Sequence, residues 1–192
     1  MPYRELYEHA QTLTVPVSRN SLRDKAIEIA GVPKVAHVRA TMDLDVSRGF
    51  WLTPTNTDHH LVRQHGSHVI VTGRDLNRCW ERIVYVKELM HLFDDEAGKA
   101  SSVYDFDSLL SEFASPVPTD RSHQMTSEIV ALWRALALLC PENQRRQFAA
   151  ERTELKVGDY EIALRLRIPE YHVPRLFSST FDSILQTILW DE

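Results

Sequence analysis

Hydrophobic and polar positions follow two different periods along the chain, and these predict where strands and helices fall. Stretches rich in β-forming residues lie in the N-terminal half, at 35–44, 49–55 and 67–73. Stretches with helical spacing of apolar residues lie on both sides of them. The predicted helices are 3–13, 19–31, 77–94, 104–113, 124–142 and 143–155, with small helices from there to the end. Helices, then a small sheet, then helices again predict the α+β class.

Capping residues mark the ends of the second predicted helix. Asn20 or Ser21 has the short polar side chain that is preferred at a helix N-terminus. Gly31, followed by Pro33, is typical of a helix C-terminus. We therefore expect this helix to begin and end close to these residues.

The predicted strands at 35–44 and 49–55 are separated only by the polar stretch Asp-Val-Ser-Arg-Gly. Such a short polar connection between two β-rich stretches favours a hairpin. We expect these two strands to form an antiparallel pair. The stretch 67–73 is the clearest strand of the three because glycines bracket it on both sides.

The helix at 77–94 follows Asp75 and Asn77, either of which would cap it. Its apolar residues are spread around much of its circumference rather than along one stripe. A helix that is apolar on most sides is typically buried. These apolar positions include Ile83, Val84, Val86, Met90 and Phe93.

Composition narrows the class of protein. The chain has 192 residues, 43% of them hydrophobic, which indicates one globular domain. Its net charge of -5 argues against a nucleic acid or anionic membrane partner. Two distant cysteines indicate reduced thiols and a cytoplasmic protein. We expect no membrane span, because Arg134 interrupts the longest apolar run.

The candidate chemistry lies near the end of the 77–94 helix. Lys87, Glu88 and His91 occupy three positions of a His-Glu-x-x-His pattern, with lysine in place of the first histidine. Residues four apart share one face of a helix. Two imidazoles in this arrangement bind one Zn²⁺, and the adjacent glutamate activates the bound water. Taken alone, a glutamate and a histidine three residues apart are more often a satisfied polar pair in a buried helix.

The wider pattern resembles the ImmA/IrrE-like family of zinc-dependent metallopeptidase domains. Arg82 stands five residues before Lys87, where that family has an arginine, and a second helix follows with the family's spacing. The chain departs from the family at Arg134, where an aromatic residue is usual, and at Cys140, where methionine is usual. The matching residues of the second helix are Glu128, Ala131, Ala135, Leu138, Leu139 and Pro141.

This resemblance implies both a fold and a set of roles. It implies one metallopeptidase-like domain over 1–192, with a core at about 20–175 and a helical tail at 176–192. The sheet, antiparallel or mixed, would pack against a zincin-like helix beside a mostly helical C-terminal half. His91 and Glu128 would be metal ligands, Glu88 would be the general base, and Lys87 would replace the first ligand.

Lys87 changes the expected chemistry of this site. A protonated amine has no lone pair for a metal, and it repels a divalent cation. We therefore expect its ammonium to pair with Glu88 or Glu128, with His91 neutral or hydrogen-bonded. We expect no cofactor, or zinc if the site is still competent. Asp94, Asp95 and His123 are possible substitute ligands, although we expect them in solvent at a helix end or in a loop.

Two functions follow from the resemblance. The first is a catalytically impaired pseudo-peptidase that binds a protein or peptide in a bacterial or phage regulatory setting. The second is an active metal-dependent endopeptidase with an atypical metal site that cleaves a regulatory protein. A structural protein that only keeps the fold is a third possibility. We expect His59, His60, His65 and His68 to be surface histidines, and the apolar end with Trp190 to dock on the core or form a homo-oligomer.

Overall fold

The computed structural model describes residues 2–94 and 123–190, and it is an α+β protein, as the sequence predicts. Helix α1 (Pro2–Gln11) opens the chain, and nine helices in total lie within the described ranges. The helix expected at 104–113 falls outside the described residues. Within those two ranges, no helix is both long and apolar enough to cross a membrane.

Helix α2 (Arg19–Ala30) packs against α1 and is capped at both ends. Its N-terminal cap is Ser18, whose side chain accepts a hydrogen bond from the backbone amide of Ser21. The prediction of a cap at Asn20 or Ser21 therefore placed the start too late. Gly31 ends the helix in the left-handed region, with φ of 63°, as the sequence predicts.

Three strands form one sheet in the order β1-β3-β2. Strand β1 (Val35–Ala40) runs parallel to β3 (His68–Gly73), with Val35 opposite His68. Strand β2 (Gly49–Leu52) runs antiparallel to β3 on its other side. The sheet is therefore mixed, which is one of the two forms expected.

The expected hairpin between 35–44 and 49–55 is wrong, because β3 lies between the two strands. Strand β3 carries three successive apolar residues, Val69 to Val71, that are fully buried. A strand that is apolar on both faces gains most from the central position, where both faces are covered. The less buried β1 and β2 thus become the edges.

Two helices cover the two faces of the sheet. Helix α3 (His60–His65), which the sequence did not predict, packs its Leu61 and Val62 with Val69 and Val71 of β3. Ile70 points to the opposite face, where the larger core includes helix α4 (Arg78–Met90).

Helix α4 begins as predicted. The side chain of Asn77 accepts hydrogen bonds from the backbone amides of Cys79 and Trp80, each at 3.0 Å. The regular helix ends at Met90, and a 3-10 turn follows at His91–Phe93. This turn changes the direction of the backbone at the candidate site.

The rest of the described chain is helical. Helix α5 (His123–Leu139) packs along α4 and also contacts α1, while α9 (Phe181–Trp190) packs against α5. A 3-10 turn at Glu170–His172 precedes α8 and places His172 against Trp80 of α4, with ring centroids 5.3 Å apart. The helices are α5 (His123–Leu139), α6 (Glu142–Glu154), α7 (Asp159–Leu166), α8 (Val173–Leu176) and α9 (Phe181–Trp190).

We predict that Gly49→Ala destabilises the fold by about 2 kcal/mol, because the new methyl group overpacks a tight interface. A Cβ at Gly49 would lie 2.5 Å from Val84 Cγ1 and 2.7 Å from the Val71 carbonyl oxygen. Chemical denaturation measures the loss. Gly158→Ala is the control, because no atom lies within 4 Å of its added Cβ. Equal losses of unfolding free energy in Gly49→Ala and Gly158→Ala would contradict this account.

We also predict that His172 makes the fold sensitive to acid. Burial, reinforced by the positive charges of Arg175 and Arg48, lowers the pKa of His172 from 6.5 to about 4. The folded state therefore favours the neutral imidazole, and its contribution is present above pH 6.5 and lost as the pH falls towards 4. Denaturation of wild type and of His172→Phe across this range should give a shallower pH slope for the variant. Parallel slopes would refute the prediction.

Candidate functional site

The sequence-predicted site residues come together where α4 and α5 pack side by side. Lys87 and Glu88 lie in the last turn of α4, and His91 opens the 3-10 turn that follows. Glu128 reaches the same point from α5. The helical spacing of the first three residues gives them a shared face, but only the packing of the two helices adds Glu128.

The Lys87 ammonium lies between two carboxylates. Its Nζ is 2.8 Å from Glu88 Oε1 and donates a hydrogen bond to Glu128 Oε2. Burial alone would lower the pKa of Lys87, but the charges of Glu128 and Glu88 outweigh it and raise the pKa above its usual value. The lysine is therefore protonated, and the predicted ion pair is present with both partners.

The two carboxyl groups differ in their surroundings. The side chain of Glu88 is only 2% exposed, and burial raises its pKa against the opposing effect of Lys87. Glu128 is also penalised by burial, but Lys87 and His91 together hold its pKa well below the usual range. Glu128 is thus an ionised partner of both Lys87 and His91.

His91 is held between three carboxyl groups. Its Nδ1 lies 2.6 Å from Asp94 Oδ2, and its Nε2 lies 3.3 Å from Glu128 Oε1 and 3.5 Å from Glu88 Oε2. Burial lowers the pKa of His91, but the hydrogen bonds with Asp94 and Glu128 raise it to about 10. The imidazole is therefore hydrogen-bonded, which is one of the two states expected for it, and the raised pKa favours its charged form.

Asp94 is the main residue that the sequence reasoning placed wrongly. We expected it in solvent at a helix end, yet its side chain is 5% exposed. Arg134 Nη1 approaches Asp94 Oδ1 at 3.1 Å, and Ser127 Oγ donates to Oδ2. The change from helix to 3-10 turn at His91 carries Asp94 inward, where it orients the imidazole through Nδ1.

The buried arginine of α5 extends the cluster to the N-terminal helix. The backbone carbonyl of Arg134 accepts a hydrogen bond from the Tyr3 hydroxyl at 3.1 Å. Its guanidinium lies over the Tyr3 ring at 5.2 Å. The cluster therefore contains three cationic groups and three carboxyl groups, which are Lys87, His91 and Arg134 and Glu88, Glu128 and Asp94.

The chemistry of this donor set does not fit the zinc that the family resemblance implies. His91 Nε2 and Glu128 face one point, as ligands would, and Asp94 orients the imidazole from behind. Lys87, however, supplies an ammonium where a third lone pair is needed, and it contacts both carboxylates. Throughout residues 2–94 and 123–190, no group of three or more His, Cys, Asp or Glu side chains is arranged to hold a metal ion.

The other candidate residues lie elsewhere. His59 and His60 stack at the start of α3 with ring centroids 4.9 Å apart, and His68 stacks on Trp51 across the sheet at 5.0 Å. Asp95 and the side chain of His123 fall outside the described residues. Ser127 and Arg134 were missed as site residues, although an arginine inside the apolar run of α5 signals a buried carboxylate partner.

Comparison of the chain with protein-family models, with curated proteins and with solved structures gives no match. The resemblance to the ImmA/IrrE-like family therefore remains a prediction, based on the residues and spacings of this sequence. What the structure adds is the geometry of the cluster itself.

We predict that Lys87→Met destabilises the protein by about 3 kcal/mol or more, because it leaves buried carboxylates without their cation. Adding Glu128→Gln to Lys87→Met should recover part of that loss, because the double variant no longer buries the Glu128 charge without its lysine partner. Chemical denaturation of the two single variants and the double variant measures this coupling. Lys25→Met removes a lysine that pairs near the surface with Glu5 and Glu28 and should cost much less. Strictly additive losses at 87 and 128 would contradict the ion pair.

Proposed function

We propose that this protein is a metallopeptidase-like pseudo-peptidase that binds a protein or peptide in a regulatory role. The observation that carries the proposal is the Lys87 ammonium, held by Glu88 and Glu128 where the resemblance implies a metal ligand. The same resemblance suggests a bacterial or phage protein acting in the cytoplasm.

The state of Lys87 supports loss of the hydrolytic chemistry. To become a ligand, this amine would have to lose its proton beside two carboxylates that raise its pKa. The carboxyl group at the general-base position would also have to leave its ion pair. Neither change is favourable, and both would have to precede hydrolysis at this site.

An edge strand beside the cluster supports a peptide-binding role. Strand β2 pairs with β3 on one side, and in the described ranges no strand pairs with its other side. A Cβ at Gly49 of β2 would lie 3.6 Å from Glu88 Oε1, so this edge passes directly by the cluster. An extended peptide adds to such an edge through backbone hydrogen bonds.

The alternative is an active metal-dependent endopeptidase with an atypical site. The orientation of His91 favours it, because Asp94 holds Nδ1 and leaves Nε2 directed towards Glu128 and Glu88. A histidine ligand in a metal site is oriented in this way by a carboxylate behind it. The two proposals differ in whether the wild-type chain retains zinc.

We predict that purified wild-type protein contains no stoichiometric zinc, whereas Lys87→His binds one Zn²⁺ per chain. The imidazole replaces the ammonium with a neutral lone pair and restores a two-histidine, one-carboxylate set with His91 and Glu128. Elemental analysis after dialysis measures the metal content. Lys87→Gln is the matched control, because it removes the charge without supplying an imidazole. Stoichiometric zinc in the wild type would overturn the pseudo-peptidase proposal.

We further predict that Asp94→Asn, in the Lys87→His background, weakens zinc binding by about 10- to 100-fold, because the imidazole of His91 loses its orienting carboxylate. Competition with a chromogenic chelator measures the affinity. Asp24→Asn is the control, since Asp24 pairs with Arg23 on α2. An unchanged affinity would show that Asp94 does not position His91.

A further inference from the structure

Six arginines on or near the first half of α4 have no acidic partner in the part of the chain that the structure describes. Arg78 and Arg82 lie one turn apart on α4, and the others come from neighbouring loops and from the C-terminal helices. No ion pair forms at any of them within residues 2–94 and 123–190, whereas most arginines elsewhere in those ranges have one. The arginines are Arg48, Arg74, Arg78, Arg82, Arg167 and Arg175.

Aromatic rings link two of these arginines, Arg48 and Arg175, and Arg82 donates a hydrogen bond to the carbonyl of Val17, next to the 15–16 segment. The Arg48 guanidinium lies over the Trp80 ring at 4.3 Å, and Trp80 contacts His172. On the far side, the Arg175 guanidinium lies over the Tyr171 ring at 5.3 Å, and that ring packs against His172. Stacking on an aromatic face leaves the edge of a guanidinium available for an acceptor.

The charges within this arginine surface repel one another. Burial lowers the pKa of Arg82 to about 10, and the nearby charges of Arg167 and Arg19 add to that effect. His172 experiences the same positive surroundings from Arg175 and Arg48. Cations near the N-terminus of a helix also oppose the helix dipole. These arginines therefore do not contribute to the stability of the isolated chain through ion pairing.

A groove adjoins the arginine surface at Arg167. It has a volume of about 440 Å³ and lies between the 15–16 segment, α6 and α7. Its apolar residue Leu164 is 57% exposed, and Tyr160, one turn earlier on α7, is 61% exposed. The groove is lined by Val15, Pro16, Phe148 and Leu164 and by the polar side chains of Gln144, Gln147, Arg165 and Arg167.

We propose that the groove and the arginine surface together form a docking site for an acidic segment of a partner protein. An apolar side chain of the segment enters the groove beside Leu164, and its carboxylates meet Arg167 and the arginines beyond it. Planar guanidinium groups match carboxylates in a two-pronged geometry. An interface of this kind combines an apolar anchor with a charged rim.

A protein segment fits this surface better than a nucleic acid. The whole chain carries a net charge of -5, so a long polyanion that extended past the arginines would be repelled. The groove also offers apolar walls, which suit a Leu or Phe side chain more than a phosphate backbone. A short acidic segment contacts the positive region alone.

This docking site is separate from the lysine–carboxylate–histidine cluster. Arg78 and Lys87 are nine residues apart on α4, which corresponds to about 13 Å along the helix axis. The docking proposal does not depend on whether the cluster binds zinc. It and the pseudo-peptidase proposal can therefore fail independently.

Selection of a random 12-residue peptide library on the immobilised full chain tests the proposal. The selected peptides should be enriched in Asp and Glu together with Leu, Phe or Trp. One selected peptide, labelled with fluorescein, is then titrated by anisotropy at two salt concentrations. Its affinity should fall as salt rises, because exposed charge pairs are screened.

Two substitutions at exposed positions locate the binding. Arg167→Asn keeps a residue that tolerates the left-handed backbone at φ of 55°, and Leu164→Gln removes the apolar wall of the groove. Each should weaken binding of the labelled peptide about tenfold, whereas Arg63→Gln on α3, at an arginine with no ion pair among the described residues, should leave the affinity unchanged. Circular dichroism confirms that all three variants fold. The proposal is overturned if the selected peptides are not acidic, if neither substitution weakens binding, or if a single-stranded 20-mer DNA displaces the peptide.

Discussion

The burial of ionised side chains is the constraint on which the packing of α4 against α5 depends. A charge removed from water without a partner costs several kcal/mol, more than most single contacts contribute. Lys87 meets this constraint only where Glu88 and Glu128 both reach its ammonium. The two helices are therefore fixed in the register that brings Glu128 to Lys87, and other registers would leave a charge unpaired.

The same constraint accounts for the residues around the cluster. His91 is charged because the carboxylates of Asp94 and Glu128 stabilise its protonated form, and Asp94 is balanced in turn by Arg134. Arg134 stands where the resembled family has an aromatic residue, and its pairing with Asp94 gives that departure a physical reason. The Tyr3 hydroxyl then joins the arginine backbone, so the first helix is tied to the same network. Glycine at position 49 lets strand β2 pass close to Glu88 of this network.

The two ends of α4 present opposite electrostatic situations. At the C-terminal end, cations are favoured by the helix dipole and are neutralised by carboxylates, which is a stable and closed arrangement. Around the N-terminal half, several arginines have no ion-pair partner among the described residues, and Arg167 lines a groove with apolar walls. A charge cluster in which cations and carboxylates balance supports a structural or pseudo-enzymatic role for the C-terminal end of α4. An unbalanced positive surface supports the binding of an acidic partner at the other.

The sequence by itself determined the elements whose signals are local. The Asn77 cap, the Gly31 stop and the shared helical face of Lys87, Glu88 and His91 all follow from residues within a few positions of one another. Only the tertiary structure decided the rest, since it depends on which distant segments meet. It inserted β3 between the two strands expected to pair, because a strand with apolar residues on both faces is best covered at the centre of the sheet. It also turned Asp94 inward, because a buried carboxylate requires a cationic partner and Arg134, which supplies it, lies far away in the sequence.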